Sequence, residues 1–136
     1  MDHKILHGGC LCGSVRYEAK GKSRKVVNCH CSMCRRHSGA AFLTWAAYPS
    51  GSVRFTKGSP AGYRSSADGV RSHCAVCGSP LTFGSDSDRD TVWLTVGSLD
   101  DRNPVQPTED WYVASKLHWV RLDDALSKSP GAPDSN

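Results

Sequence analysis

The sequence comprises 136 residues, of which 38% are apolar and 22% are charged, with a formal net charge of +4 at pH 7. This composition is typical of a soluble globular chain, and the length predicts one domain with a modest hydrophobic core. The first ten residues hold no apolar run of the kind found in signal peptides, and no later segment is long and apolar enough to span a bilayer. We therefore expect a cytoplasmic protein without a membrane partner.

Short strands dominate the predicted secondary structure. Alternating apolar and polar residues around Val15 and Tyr17 predict a half-buried strand, and the apolar run "AAFLTWAAYP" predicts another that stops at Pro49. The segment "TVWLTVGSL" is the clearest β segment, because it is rich in branched and aromatic residues. Short strands separated by Gly- and Ser-rich turns predict an all-β domain of small antiparallel sheets.

Helical signals are scarce in this chain. Ser32 could cap a short helix that ends at Gly39, and a second short helix could run through "LDDALSK". The final segment "SKSPGAPDSN" has almost no apolar side chain to bury. We expect a single domain over residues 1–126 and a disordered tail over residues 127–136.

Seven cysteines need an explanation in a chain of this kind. A disulfide framework would favour a secretory signal and an even number of cysteines, and the sequence shows neither. Thiols two or three residues apart suit chelation of a shared ion better than the cross-linking of distant strands. The cysteines form three such clusters, namely Cys10 and Cys12, then Cys29, Cys31 and Cys34, then Cys74 and Cys77.

The first and last clusters predict a structural zinc site. In "GGCLCGSV" and "HCAVCGSP", two cysteines are followed at once by a glycine, which permits the positive φ of a turn that aims both sulfurs at one metal. Two such knuckles supply the four thiolates of a closed zinc site. We expect the ligands to be Cys10, Cys12, Cys74 and Cys77, so that the metal joins an early turn to a late one.

The central cluster, "NCHCSMCRR", has three cysteines and no fourth to complete it. Catalytic zinc commonly has three protein ligands, with water or substrate in the fourth position. We therefore expect a second, open and weaker zinc on Cys29, Cys31 and Cys34. Two alternatives remain open: His30 or His37 could close the site, or the three thiols could be redox-active without a metal.

The motifs "HGGCLCGSVRYE", "NCHCSMCRR", "VRSHCAVCGSPL", "VGSLDD" and "YVASKLHWVRLDD" resemble the glutathione-dependent formaldehyde-activating enzyme family, which also includes centromere protein V. All seven cysteines match the order and spacing of that family. The resemblance implies a β-tent fold, a structural zinc on the four knuckle cysteines and a second zinc on the central three. One difference is His73, which precedes the late knuckle where the family often has an aromatic residue.

The resemblance also implies carbon–sulfur lyase chemistry, in which formaldehyde joins the thiol of glutathione to give S-hydroxymethylglutathione. Zinc with three thiolates carries a net charge of −1, which favours a role in holding the substrate sulfur over a role as Lewis acid. We expect a small thiol such as glutathione and an aldehyde as partners. Candidate proton carriers are His30 and His37, and candidate carboxylate partners are Lys22, Arg24, Arg35 and Arg36.

A rival hypothesis is a non-catalytic zinc-binding module that binds nucleic acid or protein, and a third is a thiol or metal sensor. Nucleic-acid binding favours a dense basic face. A net charge of +4 with an acidic second half gives thin support for one, so we expect no nucleic-acid partner. The sequence makes no prediction about oligomeric state.

Overall fold

The computed structural model describes residues 4–103 and 105–133 of the chain. Within these ranges the chain forms one α-helix, α1 (Ser32–Ser38), and three 3₁₀ turns, Ser50–Ser52, Val96–Ser98 and Val113–Ser115. The strands within the same ranges are Ile5–Gly9 (β1), Arg16–Lys20 (β2), Lys25–Cys29 (β3), Leu43–Pro49 (β4), Val53–Lys57 (β5), Ala61–Arg64 (β6), Gly69–His73 (β7), Pro80–Ser85 (β8), Asp88–Thr95 (β9), Glu109–Trp111 (β10) and Ser127–Ser129 (β11). This content confirms the prediction of a mainly β domain.

The strands form two sheets. Strands β1, β2 and β5 make a three-stranded antiparallel sheet with β2 in the centre. The larger sheet has the order β11-β10-β3-β4-β9-β8-β7-β6, and β10 runs parallel to both of its neighbours, β3 and β11. The parallel register sets Trp111 beside Cys29, and this brings the end of β10 to the central cysteine cluster.

The larger sheet buries side chains on both of its faces. Val26 and Ala46 pack in a core that also contains residues of the small sheet, such as Tyr17. Their chain neighbours Val27 and Trp45 belong to a second buried cluster with the three central cysteines. Successive residues of a strand point to opposite faces. The central cysteines therefore lie on the face of the sheet that is turned away from the main core.

Helix α1 begins and ends close to its predicted bounds. Gly39 ends it with a φ of 73°, as the sequence predicts, and its N–H donates to the carbonyl of Arg35. The N-cap residue is Cys31 and not Ser32, because the Sγ of Cys31 accepts a hydrogen bond from the N–H of Cys34. The N-cap therefore lies one residue before the predicted position, at Cys31, which also belongs to the thiol cluster.

The C-terminal part differs from two sequence predictions. The segment predicted as a second helix contains a turn at residues 124–125 and then enters β11. Ser127–Ser129, which were expected in a disordered tail, pair with β10 in parallel. The short strand uses its backbone to extend the edge of the sheet, and this does not depend on apolar side chains. The end of the expected tail, residues 134–136, lies outside the described residues, and the domain boundary at residue 126 stays a prediction.

No helix in the described ranges has the length and apolar character needed to cross a membrane.

Candidate metal centres

Four cysteine sulfurs meet where the turn after β1 approaches the turn between β7 and β8. The Sγ atoms of Cys10, Cys12, Cys74 and Cys77 all lie within 4.8 Å of one another. A tetrahedral zinc with Zn–S bonds of about 2.3 Å sets its sulfurs about 3.8 Å apart. The Sγ of Cys12 lies 3.6 Å from that of Cys10 and 3.8 Å from that of Cys74. The four sulfurs therefore fit a metal ion of this kind.

The local backbone explains why each knuckle presents two sulfurs. Gly13 and Gly78 both have a φ of 80°, which confirms the positive φ expected after each pair of cysteines. Backbone N–H groups then point at the sulfurs: those of Val76 and Cys77 lie 3.3 Å and 3.4 Å from the Sγ of Cys74. Hydrogen bonds of this kind favour thiolate over thiol. The Ser79 hydroxyl acts in the same direction and lowers the pKa of Cys77 to about 5.

The three central cysteines also bring their sulfurs together. Cys29 ends β3, Cys31 caps α1, Cys34 lies in the first turn of α1, and their Sγ atoms lie within 4.8 Å of one another. Among the described residues, neither His30 nor His37 joins this group of ligand atoms. The cluster could hold a metal ion with three protein ligands, and this leaves one tetrahedral position for another molecule.

Hydrogen bonds within the central cluster favour a thiolate at Cys31. Hydrogen bonds from the thiols of Cys29 and Cys34 lower the pKa of Cys31 to about 2. The same interactions raise the pKa of Cys29, whose thiol is the donor. A cluster that already favours one thiolate is a good ligand set for a cation, because the thiolate and not the thiol binds metal.

A pocket of about 340 Å³ opens beside the three central sulfurs. Its wall is largely aromatic: the rings of Trp93 and Trp111 lie 5.4 Å apart, and those of Trp45 and Phe83 lie 6.3 Å apart. A pocket of this size suits a small molecule, and apolar walls limit the water around it. These four aromatic residues come from four different strands, β4, β8, β9 and β10, so their arrangement around one pocket depends on strand pairing.

Tyr112 completes the wall and has an unusual backbone. Its φ of 60° is the one positive value found for a non-glycine residue among the described residues. Such conformations are uncommon for bulky residues and occur preferentially at functional sites. Burial raises the pKa of Tyr112, and the sulfurs of the three central cysteines add to the effect. Tyr112 therefore remains neutral beside the cluster.

Arg71 is the residue of this site that the sequence analysis missed most clearly. It lies on β7, is only 4% exposed, and places two guanidinium nitrogens 3.6 Å and 3.7 Å from the Sγ of Cys34. The guanidinium also lies over the rings of Trp45 and Phe83. Buried arginines are rare unless they are paired. The sequence does not show that Arg71 is buried, so this signal could be found only from the fold.

The two candidate proton carriers lie outside the described lining of the pocket. His30 is 1% exposed, with its Nε2 3.1 Å from the Oδ1 of Asp110 and its ring packed on Phe42. This buried pair holds the turn between Cys29 and Cys31 against β10. The rings of His37 and His73 form an edge-to-face contact, with their centroids 6.5 Å apart. Burial lowers the pKa of His37, and the positive charge of Arg71 lowers it further.

The four cations expected to meet substrate carboxylates line other surfaces. Lys22 and Arg24 line a cleft beside β3, and Arg24 donates to the Oγ1 of Thr91. Arg35 and Arg36 lie on α1 in a shallow depression with Trp119. Closeness to the cysteines in sequence did not bring these side chains into the thiol pocket.

The unequal number of ligands predicts a two-step loss of metal. Zinc content should fall from about two per chain to about one as chelator rises, and then to zero only at a much higher concentration, because four thiolates hold zinc more firmly than three. Inductively coupled plasma measurement after each chelation step checks this. A single cooperative loss of both ions would contradict it.

Comparison with known proteins agrees with the geometry. The chain is 28% identical over 128 residues to an uncharacterized lyase of Schizosaccharomyces pombe, with coverage of 88% of this chain and 93% of the relative. It also resembles the crystal structure of a Rhodobacter sphaeroides protein, with a TM-score of 0.60 and 25% identity over 72% of this chain and 91% of that one. The family model described as "glutathione-dependent formaldehyde-activating enzyme" matches residues 5–115, a range that contains both thiol clusters and Arg71. The chain therefore belongs to the glutathione-dependent formaldehyde-activating enzyme family.

Proposed function

We propose that this protein is a zinc-dependent carbon–sulfur lyase that forms or cleaves the S-hydroxymethyl adduct of glutathione or of a related small thiol. The observation that carries the proposal is the cluster of Cys29, Cys31 and Cys34, which offers three ligands to a metal that takes four and opens onto an aromatic pocket. The family membership and the relative named as a lyase support the same class of reaction.

We assign different tasks to the two clusters. Zinc on the four knuckle cysteines would act as a structural clamp between the turn after β1 and the turn after β7. Zinc on the three central cysteines would supply a positive charge that favours the ionised form of an incoming thiol. The cysteines of that cluster fix the place where the thiol sulfur reacts, since they come from the end of β3 and the first turn of α1.

The proposed reaction needs neither an oxidant nor a reductant. In the forward direction, the thiol sulfur bonds to the carbonyl carbon of formaldehyde, and the proton lost by the thiol ends on the former carbonyl oxygen. The reverse direction breaks the carbon–sulfur bond and restores both reactants. Trp45, Trp93 and Trp111 confine the two reactants beside the sulfurs, and such proximity can supply much of the rate gain. We assign the proton transfer to water in the pocket, since neither His30 nor His37 is in the described lining.

Exchange spectroscopy tests this proposal directly. Formaldehyde labelled with ¹³C and glutathione form the adduct slowly on their own, so the readout is the rate of exchange between free and adduct carbon. We expect the rate to rise in proportion to the concentration of zinc-loaded protein. Equal rates with and without protein, across a panel of small thiols, would refute the proposed activity.

The affinity for thiol should depend on pH in a defined way. A free cysteine thiol has a pKa of about 8.5, and only its thiolate is a good zinc ligand. Affinity for glutathione should therefore rise about tenfold per pH unit below that value and level off above it. S-Methylglutathione keeps the charges of the peptide but has no ionisable thiol, so we expect it to bind much more weakly. Calorimetric titration of both compounds checks this, and equal binding would place the substrate elsewhere.

One described feature favours the rival hypothesis of a nucleic-acid-binding module. Trp119 is 72% exposed and shares a depression with Arg35 and Arg36, and an exposed aromatic beside cations suits nucleic-acid contact. Titration of duplex DNA at several salt concentrations separates the two functions, because phosphate contacts weaken steeply as salt rises. Absence of binding near physiological salt would remove this alternative.

A further inference from the structure

Arg71 is fixed from several sides. Two guanidinium nitrogens contact the Sγ of Cys34, and the Nε donates to the Oγ of Ser65 at 3.3 Å. The guanidinium carbon lies 6.0 Å from the ring centroid of Trp45 and 5.2 Å from that of Phe83, both of which line the pocket. An arginine cannot lose its proton in a protein. A permanent positive charge is therefore held at the edge of the thiol pocket.

The charge of the thiol cluster explains why a cation is needed there. Zinc with three thiolates carries −1, and an incoming thiolate would bring the total to −2. The pocket wall is aromatic and solvates such a charge poorly, so an uncompensated anion would be expensive to bury. Among the described residues that line the pocket, Arg71 is the cationic side chain. It makes the three-thiolate centre neutral and leaves only a single negative charge when an anionic sulfur binds.

We propose that Arg71 is a positioning residue whose charge neutralises the three-thiolate centre, so that an anionic sulfur ligand can bind in the aromatic pocket. This inference rests on the proposed thiol site. It also revises the charge count made from the sequence, in which the centre carried a net charge of −1. The role is electrostatic, and it is therefore separable from the packing of the arginine stem.

Four variants separate charge from packing. Arg71→Met removes the charge and keeps much of the stem, and Arg71→Gln is a second neutral variant that covers the case in which the methionine variant does not fold. Arg71→Lys keeps the charge without the planar guanidinium. Arg54→Met is the matched control, because Arg54 is an exposed arginine on the small sheet that pairs with Glu18.

The probe is 2-mercaptoethanol, in which sulfur is the only group that ionises, titrated into cobalt-loaded protein. Cobalt gives sulfur-to-metal charge-transfer absorption, and the four-cysteine site has no free position for a thiol. A thiol-dependent difference spectrum therefore reports the three-cysteine site. Metal content and circular dichroism of each variant are measured first, so that affinities are compared only between folded proteins with both ions bound.

We expect wild type and Arg54→Met to bind the thiol equally and Arg71→Lys to bind within about threefold of them. Loss of a unit charge at a separation of about 6 Å, with an effective dielectric constant of about 20, weakens binding on the order of 100-fold. We therefore expect that loss for Arg71→Met and Arg71→Gln at the same pH. The spectrum at saturation should be unchanged, because the ligand atoms are the same.

Three results would overturn the inference. These are wild-type affinity in the neutral variants, equal losses in Arg71→Lys and Arg71→Met, and no thiol-dependent spectrum in the wild-type protein. The exchange assay decides the proposed function separately. Charge-dependent thiol binding without accelerated adduct exchange would support the role of Arg71 and refute the lyase activity.

Discussion

Replacing Cys74 with serine should leave little folded protein. Cys74 is buried, and its Sγ accepts two backbone hydrogen bonds within the four-sulfur cluster. A structural zinc contributes folding free energy on the order of 10 kcal/mol, which is comparable with the whole stability of a small domain at about 5–15 kcal/mol. We expect loss of the cooperative thermal transition, measured by circular dichroism, and a strong fall in soluble yield, measured by sedimentation.

A matched control is available in the same turn. Ala75 is exposed and follows Cys74 directly, so Ala75→Ser introduces the same hydroxyl without removing a sulfur. The control should keep the wild-type melting temperature within a few degrees. A Cys74→Ser protein that melts together with this control would show that the four-sulfur cluster does not stabilise the fold.

The second large effect concerns Cys31→Ser, which should keep the fold and abolish turnover. Cys31 is the N-cap of α1, and serine is among the preferred N-cap residues, so the helix should survive the change. The metal centre should be lost, because only the thiolates of Cys29 and Cys34 remain to bind an ion. We expect zinc content to fall from about two to about one per chain, and the protein-dependent adduct exchange to fall by more than about 100-fold.

Ser32→Ala serves as the control for this prediction, since Ser32 is the exposed neighbour of Cys31 and belongs to neither thiol cluster. It should retain both zinc ions and its activity. Aggregation of Cys31→Ser together with a soluble Cys74→Ser would mean that the structural and reactive roles of the two clusters are reversed.

The sequence predicted those features of the two centres that depend on local chemistry. Paired cysteines followed by Gly13 and Gly78 predicted turns with positive φ, and both turns have it. The division of seven thiols into four and three follows from the number of ligands in closed and open zinc sites. The structure brings the sulfurs together in those groups. The end of α1 at Gly39 was predictable for the same reason, because a left-handed C-terminal residue is a local requirement.

The rest of the site depends on strand pairing between distant parts of the chain. Arg71 reaches Cys34 from β7, and Trp111 reaches the pocket because β10 runs parallel to β3. No spacing rule within the sequence indicates either contact. Arg35 and Arg36 show the opposite error, since they follow Cys34 directly but lie on another surface. The strand β11 was missed because it is held by backbone pairing in a segment with almost no apolar side chain.

The parallel pairing of β3 with β10 also imposes a delay during synthesis of the chain, because β10 is made long after β3. Translation adds about 5 to 20 residues per second, so several seconds separate the synthesis of Cys34 from that of Trp111. During that interval the three central sulfurs exist without Trp111 in the pocket wall and without the strand that holds His30 in place. Thiols are open to oxidation while they are exposed, so early capture of an ion or reducing surroundings would protect these three until the sheet closes over them.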